Sequence, residues 1–315
     1  MPYDLTSPLV IGISSRALFN LEEENAVFEQ HGLKAYADYQ RRHENDVLLP
    51  GPAFPLVKAF LNLNQLRDDG RTVEVIIMSR NSPETSLRFF HSIDHYGLDI
   101  TRAALLSGAE VAPYLKAFKT DLFLSAYAPD VKQAVDHGVA AGMILTGNHH
   151  ADSRKEVGQI RIAFDGDAVL FSAESERVFK QRGIEAFYEH EQAMVDTPMQ
   201  KGPFANFLMA LSNLQNIYQT QEQSPIRTAL VTSRGAPAHE RAIKTLREWG
   251  VRVDEAFFLG GAPKKDILAS FGAHIFFDDQ QTHAGPASEV VPAAVVPYRE
   301  NDDPSKAFPQ DDPMP

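Results

Sequence analysis

The chain has 315 residues, no cysteine and a formal net charge of −12 at pH 7. Without cysteine, disulfides, a thiol nucleophile and cysteine-ligated zinc or iron–sulfur clusters are excluded. The excess of acidic residues argues against nucleic-acid and anionic-membrane partners, which need a basic surface. An anionic ligand would therefore need a local metal ion, a helix N-terminus or a placed lysine.

The length favours two domains, at roughly 150 residues per domain. The first ten residues lack the basic segment and apolar run of a signal peptide. The apolar runs are also much shorter than the roughly 18 residues that a membrane-spanning helix needs. We therefore expect a soluble, cytoplasmic protein. The segment 299–315 is rich in proline and aspartate and is predicted to be disordered.

Short apolar runs alternate with longer segments of helical spacing along the chain. Buried strands are predicted at 9–13, 73–78, 122–124, 160–164, 228–231 and 275–277, and apolar helical stripes at 56–63, 204–214 and 242–249. Strands that alternate with helices favour an α/β fold, in which a parallel sheet is covered by helices on both faces.

A polar connector separates the two halves at residues 146–156. It contains Asn148, His149 and His150, which raise the hypothesis of a metal site. Two solvated histidines are the favoured interpretation, because no further ligand stands at a defined spacing from them.

The two halves of the sequence repeat each other. Residues 27–33 match residues 178–184, and Gly51-Pro52 matches Gly202-Pro203, each 151 positions later. Further matches keep their order at offsets of 153 or 154, such as 78–80 with 232–234. We interpret this as duplication of one domain. Its copies span 1–150, with a helical insert at about 20–71, and 151–298, with a helical insert at about 171–226. The alternative is chance similarity between two domains of one class.

Carboxylates follow two of the apolar strands in the second half. Asp165 and Asp167, with Gly166 between them, come after one strand, and Asp278 and Asp279 come after another. The carboxyl ends of parallel strands are where ligands bind in such sheets. Carboxylate oxygens are ligands that suit Mg²⁺. A magnesium site is therefore predicted, although each pair alone is also compatible with an ordinary loop.

Hydroxyl and lysine side chains complete this pattern. Thr232 and Ser233 end a predicted strand, where hydroxyl and backbone N–H groups bind phosphate oxygens. Lys264 follows a glycine turn and can neutralise a phosphoryl group or an aspartate nucleophile, with Lys265 as the alternative. Each residue alone has a structural explanation, but their order on successive strand ends favours one joint site.

The order Asp-x-Asp, Thr, Lys and Asp-Asp resembles the haloacid dehalogenase-like (HAD) phosphotransferase superfamily. A closer resemblance, to the cytosolic type I 5′-nucleotidase family, extends over residues 8–298. It is carried by the segments 13–19, 50–55, 164–172, 174–176, 261–264 and 274–280. Ala173 departs from the family pattern, since an acidic residue is expected there. The departure lies outside the four motifs.

The resemblance implies Mg²⁺-dependent hydrolysis of nucleoside 5′-monophosphates, AMP among them. Asp165 would be the nucleophile that forms an aspartyl-phosphate, and Asp167 the general acid and base. The phosphate would be bound by Asp165, Gly166, Asp167, Thr232, Ser233 and Lys264, and the metal by Asp165, Asp167, Asp278 and Asp279. Two alternatives stay open: a phosphatase for another small phosphate ester, and a nucleotide-binding regulatory protein with vestigial activity.

The resemblance also implies that the insert at 171–226 forms a helical cap over the site. Phe179, Phe187 and Tyr188 are candidates for stacking on the base, although packing within the cap is the simpler interpretation.

The first copy lacks the catalytic residues. At offsets of 152 and 153, the positions of Asp165, Asp167, Asp278, Asp279 and Lys264 are taken by Ile13, Ser15, Ser125, Ala126 and Val111. We therefore predict an inactive copy. It is either a structural partner or the binding site of a regulatory nucleotide, which Ser14, Ser15, Arg16, Ser79 and Arg80 would line. Base and sugar preference and oligomeric state stay open, with a homo-oligomer as one hypothesis.

Overall fold

The computed structural model describes residues 4–67, 70–145, 158–218 and 224–299. The chain divides into two compact units, residues 1–139 with 143–158 and residues 140–142 with 159–315. The predicted histidine pair of the connector and nearly all of the predicted disordered tail lie outside the described residues. Within the described ranges, no helix is both long and apolar enough to cross a membrane.

The first unit is an α/β structure with parallel strands in the order β3-β2-β1-β4. Its strands are β1 (Leu9–Ile13), β2 (Val73–Ser79), β3 (Arg102–Leu105) and β4 (Leu122–Ser125). Its helices are α1 (Ser15–Leu18), α2 (Glu22–Arg42), α3 (Phe54–Asn62), α4 (Leu87–His95), α5 (Ala112–Ala117) and α6 (Ala128–Asp136). A further strand is β5 (Ala140–Ile144), of which residues 140–142 are grouped with the second unit and the rest with the first. β1 and β2 are buried along their whole length, as expected for inner strands of a parallel sheet.

The second unit has parallel strands in the order β8-β7-β6-β9-β10. These are β6 (Ile160–Phe164), β7 (Ile226–Thr232), β8 (Glu255–Phe258), β9 (Ile275–Asp278) and β10 (Ala293–Val295). Its helices are α7 (Glu174–Ala193), α8 (Ala205–Ile217), α9 (His239–Glu248), α10 (Lys265–Phe271) and α11 (Gln281–Ala287). In each unit the first strand is central, so the loop that follows it lies between the ends of two neighbouring strands.

All six predicted strands are present, and several extend by one or two residues. The sequence did not predict β3, β5, β8 and β10. β3 and β8 are edge strands whose residues are half-buried or exposed. Their apolar runs, 103–106 and 256–259, are only four residues long, and such short runs are ambiguous between strand and helix. Helices occupy both predicted inserts, as α2 and α3 in the first unit and α7 and α8 in the second.

Several local features recur in both units. A glycine interrupts the long insert helix of each, Gly32 with φ 77° and ψ −177°, and Gly183 with φ 83° and ψ −177°. Such positive φ angles favour glycine, which has no Cβ to clash. A buried arginine also recurs: Arg88 Nε donates to the carbonyl of Asp46 at 2.9 Å, and Arg241 Nε to that of Thr197 at 3.0 Å.

Backbone hydrogen bonds correct the sequence alignment at the first motif. The N–H of Ser14 donates to Leu124, as the N–H of Asp165 donates to Phe277. Ser14 therefore corresponds to Asp165, where the sequence offset had placed Ile13. The same correction moves the counterpart of Asp167 from Ser15 to Arg16.

One extra residue in the second unit accounts for the change of offset from 151 at Asp165 to 152 at Leu170. The short helix α1, which follows β1, has four residues. The corresponding segment after β6 is a π-turn of five residues, 166–170. Within it, Ala168 has a φ of 59°, a left-handed conformation that costs an alanine about 1–2 kcal/mol. The insertion lies next to Asp165 and Asp167, and backbone strain of this kind is typical of functional sites.

Candidate active site

Three carboxylates meet where β6 and β9 end. These strands are parallel neighbours with Phe164 opposite Phe277, so Asp165 and Asp278 follow side by side. Oxygens of Asp165, Asp278 and Asp279 lie within 4.8 Å of one another, and all three residues are buried. The structure thus brings together three of the four carboxylates that the sequence assigned to a metal.

Lys264 bridges two of these carboxylates. Its Nζ lies 2.7 Å from Asp165 Oδ1 and 2.7 Å from Asp278 Oδ2. The lysine precedes α10 and follows a turn in which Gly260 and Gly261 have φ angles of 56° and 88°. The alternative lysine, Lys265, instead pairs with the exposed Glu289. Of the two candidates, Lys264 is the one that reaches the carboxylates.

The electrostatics of the cluster show an excess of negative charge. Burial raises the pKa of Asp165 to about 7, although Lys264 acts to lower it. Burial and the nearby charges of Asp165 and Glu176 raise the pKa of Asp279 to about 9. Asp278 differs, because His283 and Lys264 outweigh burial and hold its pKa below the usual value. One lysine therefore does not balance three buried carboxylates.

The same cluster is suited to a divalent cation. Oδ1 of Asp279 is buried and has no hydrogen-bond partner. A buried acceptor without a donor is costly, and a cation with oxygen ligands would satisfy it. The donor set, three carboxylates within 4.8 Å, fits such an ion.

Asp167 is engaged differently from the other three. Its carboxylate accepts two hydrogen bonds from Arg234, Nε to Oδ2 at 2.8 Å and Nη2 to Oδ1 at 2.7 Å. The remaining terminal nitrogen of Arg234, Nη1, donates to Glu191 of α7. Sequence reasoning missed both Arg234 and Glu191. Arg234 directly follows Thr232 and Ser233, and this position was the signal that could have found it.

The residues predicted to bind phosphate lie beside Asp165. Thr232 ends β7, the neighbour of β6, and a Cβ added at Gly166 would lie only 3.1 Å from its Oγ1. Gly166 therefore lets the loop after Asp165 approach this hydroxyl closely. The carbonyl of Ser233 accepts from the N–H of Gly261 at 3.1 Å, which ties this turn to the one before Lys264.

Three residues around Asp279 were also missed. The hydroxyl of Tyr298 donates to Asp279 Oδ2 and lies 3.2 Å from Glu176 Oε1. Gln280 Nε2 donates to the same Glu176 oxygen at 2.9 Å. Glu176 belongs to helix α7, so these contacts join that helix to the carboxylate cluster. No sequence signal marks Tyr298, which stands at the edge of the predicted tail.

The three aromatic candidates for base stacking lie in α7. Phe187 is buried, and its ring centroid lies 5.4 Å from the guanidinium carbon of Arg234. Phe179 packs edge-on against Phe187 at 6.3 Å and is 47% exposed. Tyr188 contacts Phe187 with centroids 5.6 Å apart. Phe187 thus packs around Arg234, whereas Phe179 has a free face.

The fold and the site define an α/β protein with a buried carboxylate–lysine centre at the carboxyl edge of its parallel strands. The sequence model of the 5′-nucleotidase family matches residues 1–303. The chain therefore belongs to the 5′-nucleotidase family, which confirms the resemblance inferred from the motifs. It is similar to human (Homo sapiens) cytosolic 5′-nucleotidase 1B, with 40% identity over 284 residues. The match covers 87% of this chain but 46% of that relative, so the chain spans just under half the length of the relative. No solved structure matches the chain.

Proposed function

We propose that the chain is a Mg²⁺-dependent 5′-nucleotidase, which hydrolyses nucleoside 5′-monophosphates, AMP among them, to nucleoside and phosphate. The observation that carries the proposal is the cluster in which Lys264 joins Asp165 to Asp278, with Asp279 beside them. The family match supports the reaction class. The name of the human relative, a cytosolic 5′-nucleotidase, supports the reaction and a cytosolic location.

In this proposal Asp165 is the nucleophile. One of its carboxylate oxygens bonds to phosphorus while the bond from phosphorus to the ribose O5′ breaks, which leaves an aspartyl-phosphate. Asp167 gives its proton to O5′, so the nucleoside leaves as a neutral alcohol. Asp167 then takes a proton from the water that attacks phosphorus, and the bond between phosphorus and Asp165 breaks. Such acid–base assistance is worth about 10²–10⁴-fold.

Mg²⁺ would be held by Asp165, Asp278 and Asp279, and by the backbone carbonyl of Asp167. When bound, it offsets the repulsion between the nucleophilic carboxylate and the phosphoryl group. The partnerless oxygen of Asp279 supports this assignment. Lys264 orients Asp165 and contributes positive charge. The hydroxyls of Thr232 and Ser233 and the N–H of Gly166 would donate to the phosphoryl oxygens.

We further infer that the chain contains two copies of a HAD-like domain, 1–150 and 151–298, and that the insert at 171–226 caps the active copy. The shared strand order and the matching helix breaks at Gly32 and Gly183 support duplication. In the first copy, Ser14 and Ser125 stand at the positions of Asp165 and Asp278. That copy is then inactive. A regulatory nucleotide bound there and assembly into a homo-oligomer remain hypotheses.

The proposal is tested by measuring phosphate release from AMP, IMP, CMP and dAMP, with Mg²⁺ and with EDTA. We expect release that requires Mg²⁺ and is lost in Asp165→Asn, while the circular dichroism spectrum of the variant is unchanged. Activity of Asp165→Asn within about tenfold of the wild type would refute the nucleophile, since a carboxamide does not replace a carboxylate in this step. Release from sugar phosphates but from none of the four nucleotides would indicate a different phosphatase.

A further inference from the structure

We propose that Arg234, anchored by Glu191 of helix α7, is the positioning residue for Asp167. The inference rests on the proposed function, in which Asp167 protonates the leaving oxygen. It adds a physical link between the predicted cap helix and that carboxylate.

Arg234 holds Asp167 through two parallel hydrogen bonds of 2.8 Å and 2.7 Å. A bidentate arginine–carboxylate pair defines the plane of the carboxylate as well as its position. The orientation of the Asp167 carboxylate needs such a partner, because Asp167 lies in the turn that contains the strained Ala168. A general acid must lie within hydrogen-bond reach of the oxygen that it protonates.

Glu191 in turn holds Arg234 in place. One of its carboxylate oxygens, Oε2, accepts from Arg234, and the other accepts from Ser175 at 2.6 Å and from Arg241 at 3.0 Å. Glu191 and Arg234 are 2% and 3% exposed, so little solvent competes for these contacts. Because Ser175 and Glu191 both belong to α7, the position of this helix determines where the guanidinium lies.

The first unit shows which part of this network is general framework. Arg88 corresponds to Arg241, since the Nε of each donates to a backbone carbonyl at an equivalent place. Each arginine also pairs with a glutamate of its insert helix, Arg88 with Glu24 at 2.5 Å and Arg241 with Glu174 at 3.5 Å. The N–H of Asn81 donates to Ser79 Oγ at 3.1 Å, as that of Arg234 donates to Thr232 Oγ1 at 3.2 Å. Asn81 is therefore the counterpart of Arg234, and the sequence match of 78–80 with 232–234 is wrong by one residue.

The charged chain itself is confined to the second unit. Asp167, Arg234 and Glu191 have the counterparts Arg16, Asn81 and Gln40 in the first unit. Other residues thus stand at the positions of the arginine and its two carboxylate partners in the first unit, while the framework arginine is kept in both. A buried ion pair adds little net stability over apolar packing, so stability alone does not explain this difference. Because the chain of Arg234 and Glu191 ends on Asp167, we infer that it serves the proton transfer by that residue.

The test compares two substrates that differ at one atom. AMP must lose an alkoxide, which needs a proton, whereas its analogue with a bridging 5′-sulfur loses a thiolate, which does not. Arg234→Lys keeps the charge but not the bidentate grip. We expect its kcat/KM on AMP to fall about 100-fold, and its kcat/KM on the sulfur analogue to fall less than about tenfold. The comparison uses kcat/KM because it reports the transfer to Asp165, whereas kcat also contains the hydrolysis of the aspartyl-phosphate that both substrates share. Arg234→Lys and Glu191→Gln should both raise the rate on the sulfur analogue relative to the rate on AMP. Asp167→Asn, which removes the acid itself, should give the largest rise that either variant can reach.

The ratio of rates on the two substrates does not depend on how much of each variant is correctly folded. Arg227→Lys is the matched control, because Arg227 lies at the opposite end of β7 and pairs with Glu255. It should leave the ratio unchanged. Equal losses on both substrates, or no loss on AMP, for Arg234→Lys would overturn the inference. If Asp165→Asn retained turnover of both substrates, the proposed function itself would fail.

Discussion

The two units share a strand order and differ in the side chains at one edge. Where the second unit has Asp165, Asp278, Asp279 and Lys264, the first has Ser14, Ser125, Ala126 and Val111. The buried strands and the framework arginines Arg88 and Arg241 are present in both. The packing beneath the strand ends is thus common to both units, and the proposed chemistry depends on the few side chains by which the units differ.

The largest expected effect in this comparison comes from replacing a residue of the second unit by its counterpart in the first. In Asp278→Ser, the residue takes the identity of its counterpart, Ser125, and one metal ligand is lost. Phosphate release from AMP should fall more than about 100-fold, beyond the 10–100-fold typical of changes around the ligands. Isothermal titration with Mn²⁺ should show weakened binding. Ser125→Ala is the control, and an equal loss in that variant would contradict the comparison.

A second exchange, Lys264→Val, gives this position the identity of Val111. It leaves Asp165 and Asp278 without their buried counter-charge, which typically costs about 3–5 kcal/mol. We expect a lower unfolding temperature without metal, and partial recovery on addition of Mg²⁺, because the ion supplies positive charge to the same carboxylates. In the control Lys265→Gln, which removes the exposed pair with Glu289, the unfolding temperature should stay unchanged both without metal and with Mg²⁺. An unchanged unfolding temperature in Lys264→Val would show that the lysine does not stabilise the cluster.

Tyr298→Phe tests a contact of the second unit alone. The change removes the hydroxyl that donates to Asp279 and contacts Glu176, so Asp279 becomes less well oriented. Metal affinity should fall about tenfold, in the range known for residues that support a metal ligand. Direct titration with Mn²⁺ measures the affinity, and thermal unfolding controls for lost stability. Unchanged affinity would indicate that the contact is only structural.

The smallest expected effect on the proposed site comes from the framework that both units share. Thr245 Oγ1 accepts from the N–H of Met199 at 3.0 Å, and Ser92 Oγ accepts from that of Leu48 at 3.0 Å. Thr245→Val and Ser92→Ala should each lower the free energy of unfolding by about 1–3 kcal/mol, because a buried donor is left unpaired. Urea denaturation measures both. A loss in one unit only would show that the corresponding bonds are not equivalent.

Much of this architecture could be predicted from local sequence. An inner strand such as β1 is a continuous apolar run, because both faces of an inner parallel strand are buried. The edge strands β3 and β8 escaped prediction because they are only partly buried and their apolar runs are short. The correspondence of the two units was also misplaced by one residue after β1. A residue inserted into a turn changes the sequence offset, whereas the backbone hydrogen bonds reveal where the strands align.

The sequence by itself determined the class of the chain, and it predicted a repeated organisation and a set of candidate site residues, since these follow from composition, apolar periodicity and motif order. Only the tertiary structure decided how those residues are used. It joined Lys264 to Asp165 and Asp278, turned Asp167 toward Arg234, and added Glu191 and Tyr298. These contacts join residues far apart in the chain, and their geometry depends on how helices and strands pack, which local periodicity does not specify.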